Sequence, residues 1–145
     1  MQITSSAFSQ GAAIPDEFTC KGDNKSPQLS WSDPPAGTQS LALIVEDPDA
    51  PVGTYTHWVA YNISPLKKSL AAHLQSAPQI EGMMQGKNDF GHTGYGGPCP
   101  PRGDKPHRYF FRIYALDARL DLHPGASRQE LEEAMMDHVI GQGEL

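Results

Sequence analysis

HRYFFRIYAL at positions 107–116 decides the fold: His107, Tyr109, Phe111 and Ile113 fall on one side of an extended chain, Arg108, Phe110, Arg112 and Tyr114 on the other. Aromatic and β-branched residues suit a pleated, half-buried surface, so this stretch reads as an inner strand. THWVAYNI at 56–63 reads the same way, with His57, Val59, Tyr61 and Ile63 sharing one face and Trp58, Ala60 and Asn62 the other. Ser40 to Glu46 makes a third strand, and Gln2 to Thr4 and Leu29 to Trp31 make shorter ones. Lys67 to Gln75 fits a helical turn or an irregular loop equally well. Near the C-terminus, Ser127 stands three positions before Glu130 in a capping box, and Leu131, Ala134, Met135, His138 and Val139 follow as an apolar stripe. A helix is predicted there, ended by Gly141. The elements add up to a mainly β protein: an antiparallel β-sandwich with long Gly/Pro-rich loops and a C-terminal helix, in one domain over 1–145.

The composition agrees. A chain of 145 residues with 38% hydrophobic and 19% charged residues is long enough to bury its own core, and no apolar run approaches the roughly 18 residues of a membrane helix. Stable membrane insertion is therefore not expected. Eleven Lys and Arg against seventeen Asp and Glu leave a net charge of -6, which excludes binding to nucleic acid by bulk phosphate neutralisation. The first residues lack the basic and apolar regions of a secretory signal, so the expected location is the cytoplasm. Cys20 and Cys99 then have free thiols as their expected state, although two cysteines allow a bridge.

The stretch from Gln79 to Pro106 is too long to be a bare connection. It holds seven of the fourteen glycines, between Gly82 and Gly103, together with Pro98, Pro100, Pro101 and Pro106. Loops beyond about 12–15 residues are usually functional or disordered, and this one leads directly into the strongest strand. Closely spaced glycines let backbone amides approach a ligand.

Three groups of residues at loop-to-strand junctions can carry chemistry: Asp47 and Asp49 in DPDAP at 47–51, His57, and His107 with Tyr109 after GPCPP at 97–101. If the strand ends converge, one carboxylate, two imidazoles and a phenol line one pocket. Imidazole N–H groups, backbone amides and a tyrosine hydroxyl donate to a phosphate or carboxylate, while an aspartate orients an imidazole. Affinity should then rise as histidine protonates near neutral pH, with a neighbouring aspartate moving that titration upward. The plainer readings make the aspartates turn formers, His73, His92, His123 and His138 surface or local structural residues, and Arg112 an ion-pairing residue. A Cys99 nucleophile lacks an activating helix N-terminus, and zinc on His57, His107 and Asp47 lacks a compact ligand spacing. No metal, cofactor or catalytic residue is assigned.

Taken together, DPDAP, THWVAYNI, FTCKGDN at 18–24, SPQLSW at 26–31 and GPCPPRGDKPHRYFFRIYAL at 97–116 resemble the phosphatidylethanolamine-binding protein family, in its small bacterial, Raf-kinase-inhibitor-like branch. The resemblance spans nearly the whole chain. It implies a sandwich with Greek-key connections and a small anion pocket at one end. Asp47, His57, His107 and Tyr109 fall on the family's pocket side chains, and Tyr95, Gly97, Cys99 and Pro101 on its Gly/Pro-rich wall. It further implies a non-catalytic protein that binds a small anionic or phosphorylated ligand, docking of some members to a kinase or protease partner, and a homodimer. The rival functions are a surface-docking inhibitor or scaffold and a hydrolase that uses the same histidines.

Overall fold

Every residue from Ser40 to Asp47 is buried, so this strand, β3, has no polar face. The computed structural model, which describes residues 1–51, 53–80, 82–99 and 107–145, shows why. Strand β3 is central in a six-stranded antiparallel sheet, between β4 (Tyr55–Ile63) and β8 (Phe110–Leu116), and both faces of that sheet are covered. The other strands among the described residues are β1 (Ile3–Thr4), β2 (Leu29–Trp31), β5 (Ser69–Leu70), β6 (Gln79–Ile80), β7 (Met83–Gln85) and β9 (Val139–Glu144), with a short 3-10 turn at Asp16–Phe18 and one α-helix, α1 (Arg128–Met135). The large sheet runs β6-β7-β4-β3-β8-β9 and the small one β1-β2-β5. Because β8 docks beside β3, the chain reaches it by a long connection rather than a hairpin.

Two apolar layers result. Between the sheets, Ile3, Leu29, Trp31 and Leu70 meet Leu41, Leu43, Val45, Trp58, Ala60, Phe111 and Ile113. On the far face, Ala42, Ile44, Val59 and Tyr61 pack under Leu131 and Met135 of α1. Full burial of one such large side chain is worth about 1.5–3 kcal/mol. Trp58 also donates its indole N–H to Gln85 Oε1 at 2.8 Å, and Gln85 Nε2 donates to the carbonyls of Gln75 and Ala77. That chain of bonds pins the 67–75 segment, whose only regular element is β5.

Three expectations need correction. The faces of β4 do not alternate throughout: His57 and Ile63 lie on the Trp58 side, because a β-bulge interrupts the pairing with β3 near each end. One bulge leaves His57 between the Val45–Trp58 and Glu46–Thr56 pairs; the other coincides with Asn62, whose φ is +50° and whose amide bonds both N–H and C=O of Leu120. Helix α1 keeps its capping box but ends at Met135, since Asp137 turns left-handed at φ +68° and residues 139–144 pair with β8. Gly141 therefore belongs to β9, where a Cβ would lie 2.8 Å from Pro35 Cγ. His138 bonds Asp117 just outside the helix. Finally, Cys20 and Cys99 form a disulfide with Cα atoms 5.4 Å apart. Free thiols were expected from the assumed compartment, and the fold instead brings together two cysteines 79 positions apart.

Candidate functional site

The C-terminal end of β3 and the approach to β8 place Asp47 against His107. Their side chains are only 4% and 7% exposed, and His107 Nδ1 lies 2.6 Å from Asp47 Oδ2. Asp47 Oδ1 accepts the Asp49 amide at 2.8 Å, so one carboxylate both shapes the DPDAP turn and orients the histidine. The turn reading and the site reading are both met. Asp49 holds Arg108 in turn, through the Arg108 amide and two guanidinium N–H bonds of 2.9 Å. Those bonds to Arg108 bring the Asp49 carboxyl down to about 2.

The bulge in β4 turns His57 toward the same end. Its Nδ1 lies 2.7 Å from the Gly96 carbonyl; a carbonyl only accepts, so Nδ1 carries the proton. The ring is boxed by Tyr55, Phe90 and Tyr109, each with its centroid 5.4 Å away. Tyr109 also approaches the His107 ring at 6.4 Å. The structure thus gathers Asp47, His57, His107 and Tyr109, with His107 to Tyr109 preceding β8 rather than opening it as the alternation suggests.

Burial pushes the His57 pKa below its ordinary value, outweighing the Gly96 bond and the attraction of Asp47. The upward shift expected from an aspartate neighbour is therefore reversed at His57. With the folded value depressed, the unfolded chain binds more protons below about pH 6.5, so this histidine erodes stability as pH falls through that region and costs nothing above it. A His57 C2–H resonance titrating below about 6.5, and a flatter loss of stability at acid pH in His57→Gln, are the expected outcomes. Tyr109 is pushed up to about 12 by burial and then by Asp47 and Asp49, so its hydroxyl stays protonated.

The wall residues act differently from what their glycines suggest. The Gly96 amide donates to the His57 carbonyl and the Gly97 amide to Asn24 Oδ1, so neither is offered to a ligand. What glycine provides is close approach: a Cβ on Gly96 would lie 2.4 Å from the Phe90 ring, and one on Gly97 2.1 Å from the Phe18 carbonyl. Tyr95 stands edge-on to Trp58 and donates to that same carbonyl at 2.7 Å, which makes it a buttress. Cys99 is committed to the disulfide, so the thiol-nucleophile reading has no thiol. Pro101 lies outside the described residues.

Sequence reasoning missed Asn88, Phe90 and Asn24. Asn88 folds its loop by accepting from the Phe90 and His92 amides and donating to the Gly94 carbonyl, and this sets Phe90 against His57. An Asn two residues before an aromatic and three before a glycine is too common a pattern to have marked it. Arg112 is ion-paired as read, with Glu46 and Glu144, on the opposite face of the sheet. Among the described residues no group of three His, Cys, Asp or Glu side chains is placed to hold a metal ion.

Comparison with known proteins agrees with this architecture. The family model for phosphatidylethanolamine-binding protein matches residues 4–145. A UPF0098 protein of Aquifex aeolicus is 47% identical over all of this chain and 85% of its own length, and one of Methanothermobacter thermautotrophicus is 49% identical over 95% of its length. Among solved structures, CT736 of Chlamydia trachomatis, described as a homolog of the family, superposes with a TM-score of 0.90 at 46% identity, covering 99% of this chain and 93% of that one. YbcL of Escherichia coli, described as a member of the mammalian family, gives 0.91 at 34% identity, covering 99% and 94%. The chain belongs to the phosphatidylethanolamine-binding protein family.

Proposed function

We propose that the protein is a non-catalytic receptor for a small phosphate-like or phosphorylated head group, held between His57, His107 and Tyr109. The observation that carries this reading is the convergence of a protonated phenol on two imidazoles, one of them fixed by Asp47. The Gly96 and Gly97 amides are spent internally and do not contribute to the anion site. Calorimetric titration of inorganic phosphate and phosphoethanolamine, at about pH 8 and again below the depressed His57 titration, tests it. Saturable binding stronger at the lower pH is expected, abolished in His57→Ala, His107→Ala. Tyr109→Phe is expected to lose about tenfold in affinity, the equivalent of one charge-assisted hydrogen bond. Unchanged affinity in either variant would refute the assignment.

A second reading, docking to a protein partner or a second copy, has one observation in its favour. Met136, Val139 and Ile140 form an exposed apolar run beside the open edge of β9. Binding there would be indifferent to His107→Ala. Among the described residues no helix is long and apolar enough to cross a membrane. A cytoplasmic location would expose the Cys20–Cys99 bond to reduction.

A further inference from the structure

We infer that the Cys20–Cys99 disulfide is a redox control on the anion site: closed, it clamps the wall that positions His57, and opened by a dithiol reductant it lowers affinity. This rests on the head-group reading above. The wall segment 94–99 meets the segment 16–24 along one seam. Tyr95 Oη donates to the Phe18 carbonyl at 2.7 Å, the Gly97 amide to Asn24 Oδ1 at 2.8 Å, and the Cys20 amide to the Pro98 carbonyl at 3.1 Å. Between Tyr95 and Gly97 stands Gly96, whose carbonyl accepts a hydrogen bond from His57 Nδ1–H and fixes its tautomer. The disulfide is the covalent end of this seam, and among the described residues nothing else covalent joins the two segments.

The bond is also reachable. Cys20 and Cys99 are both exposed, whereas Phe18, Gly96 and Gly97 beside them are buried, so a reductant meets sulfur before it meets core. Thiol–disulfide exchange requires that access, together with a reductant thiolate of suitable potential. The thiolate of a dithiol protein or reagent attacks one sulfur, forming a mixed disulfide and releasing the other as a thiolate that takes up a proton. The second thiol of the reductant then displaces the remaining cysteine. Two electrons pass to the chain, leaving two cysteine thiols here and one new disulfide in the reductant. Cys20 and Cys99 lie outside strands β3, β4 and β8, so opening the bond is expected to free the wall while the sheets hold.

The experiment titrates inorganic phosphate into the oxidised protein, the dithiol-reduced protein with its two thiols counted, and the same sample reoxidised. Hydrogen exchange is followed in parallel. Reduction is expected to weaken phosphate binding by about tenfold or more, the cost of one lost positioning contact, and reoxidation to restore it. Exchange should quicken at Gly96 and Gly97 while amides of β3 and β4 stay protected. Equal affinity in both redox states, with binding present, overturns the control and leaves the head-group reading standing. Exchange lost throughout β3 and β4 on reduction also overturns it, because the bond is then a staple of the whole fold. No phosphate binding by the oxidised protein removes the head-group reading and the control with it.

Discussion

Cys20→Ser, Cys99→Ser is expected to lower the free energy of unfolding by about 4.5 kcal/mol, the chain-entropy value for a bridge closing a loop of this length. The loss arises in the unfolded state, where the bond holds together two points 79 residues apart, so the folded sheets need not change. Domains have about 5–15 kcal/mol in total, so the variant should remain folded with a much lower denaturant midpoint. Urea unfolding of the two proteins at one pH measures it directly. A midpoint within error of the parent would mean that the unfolded chain gains little freedom when the bridge is gone.

Asp47→Ala should cost about 3 kcal/mol, because it removes a buried carboxylate that bonds the His107 ring and the Asp49 amide at once. The Asp49–Arg108 pair, exposed and screened, adds little to that figure. Asp47→Asn separates the two roles. Its carbonyl oxygen can still accept the Asp49 amide and keep the turn, but the side chain no longer brings a negative charge to His107 Nδ1. Stability is expected to fall by less than half as much as in the alanine variant, with phosphate affinity falling equally in both. Equal stability losses in the two variants would place the value of Asp47 in its charge rather than in the turn.

The readable parts of this fold were those set by local pattern. Phe111, Ile113 and Ala115 point into the inter-sheet layer as the alternation of 107–116 requires, and the Ser127–Glu130 box starts α1. The misread parts depend on partners distant in sequence. Whether His57 and Ile63 share a face with Val59 is decided by which residues of β3 stand opposite, and no pattern within 56–63 encodes the two bulges. The apolar stripe past Met135 continues at helical spacing, yet pairing with β8 gives 139–144 a full ladder of hydrogen bonds, and Asp137 tolerates the left-handed turn between them. The disulfide is a contact across most of the chain. At the site, Asp47, His57, His107 and Tyr109 were legible because each stands at a strand junction. Phe90 and Asn88 were not, since their positions follow from loop hydrogen bonds.

The central claim is that an anion sits where these four side chains meet. A two-dimensional amide and imidazole NMR titration with inorganic phosphate, extended to saturation at about pH 6, tests it most directly. The largest shifts are predicted at the His57 and His107 rings and at the amides of Gly96, Gly97, Arg108 and Tyr109, all following one binding curve. Shifts centred instead on the cleft lined by Ile3 to Gln10 and Leu145, or on the cleft between α1 and Val139, would contradict it.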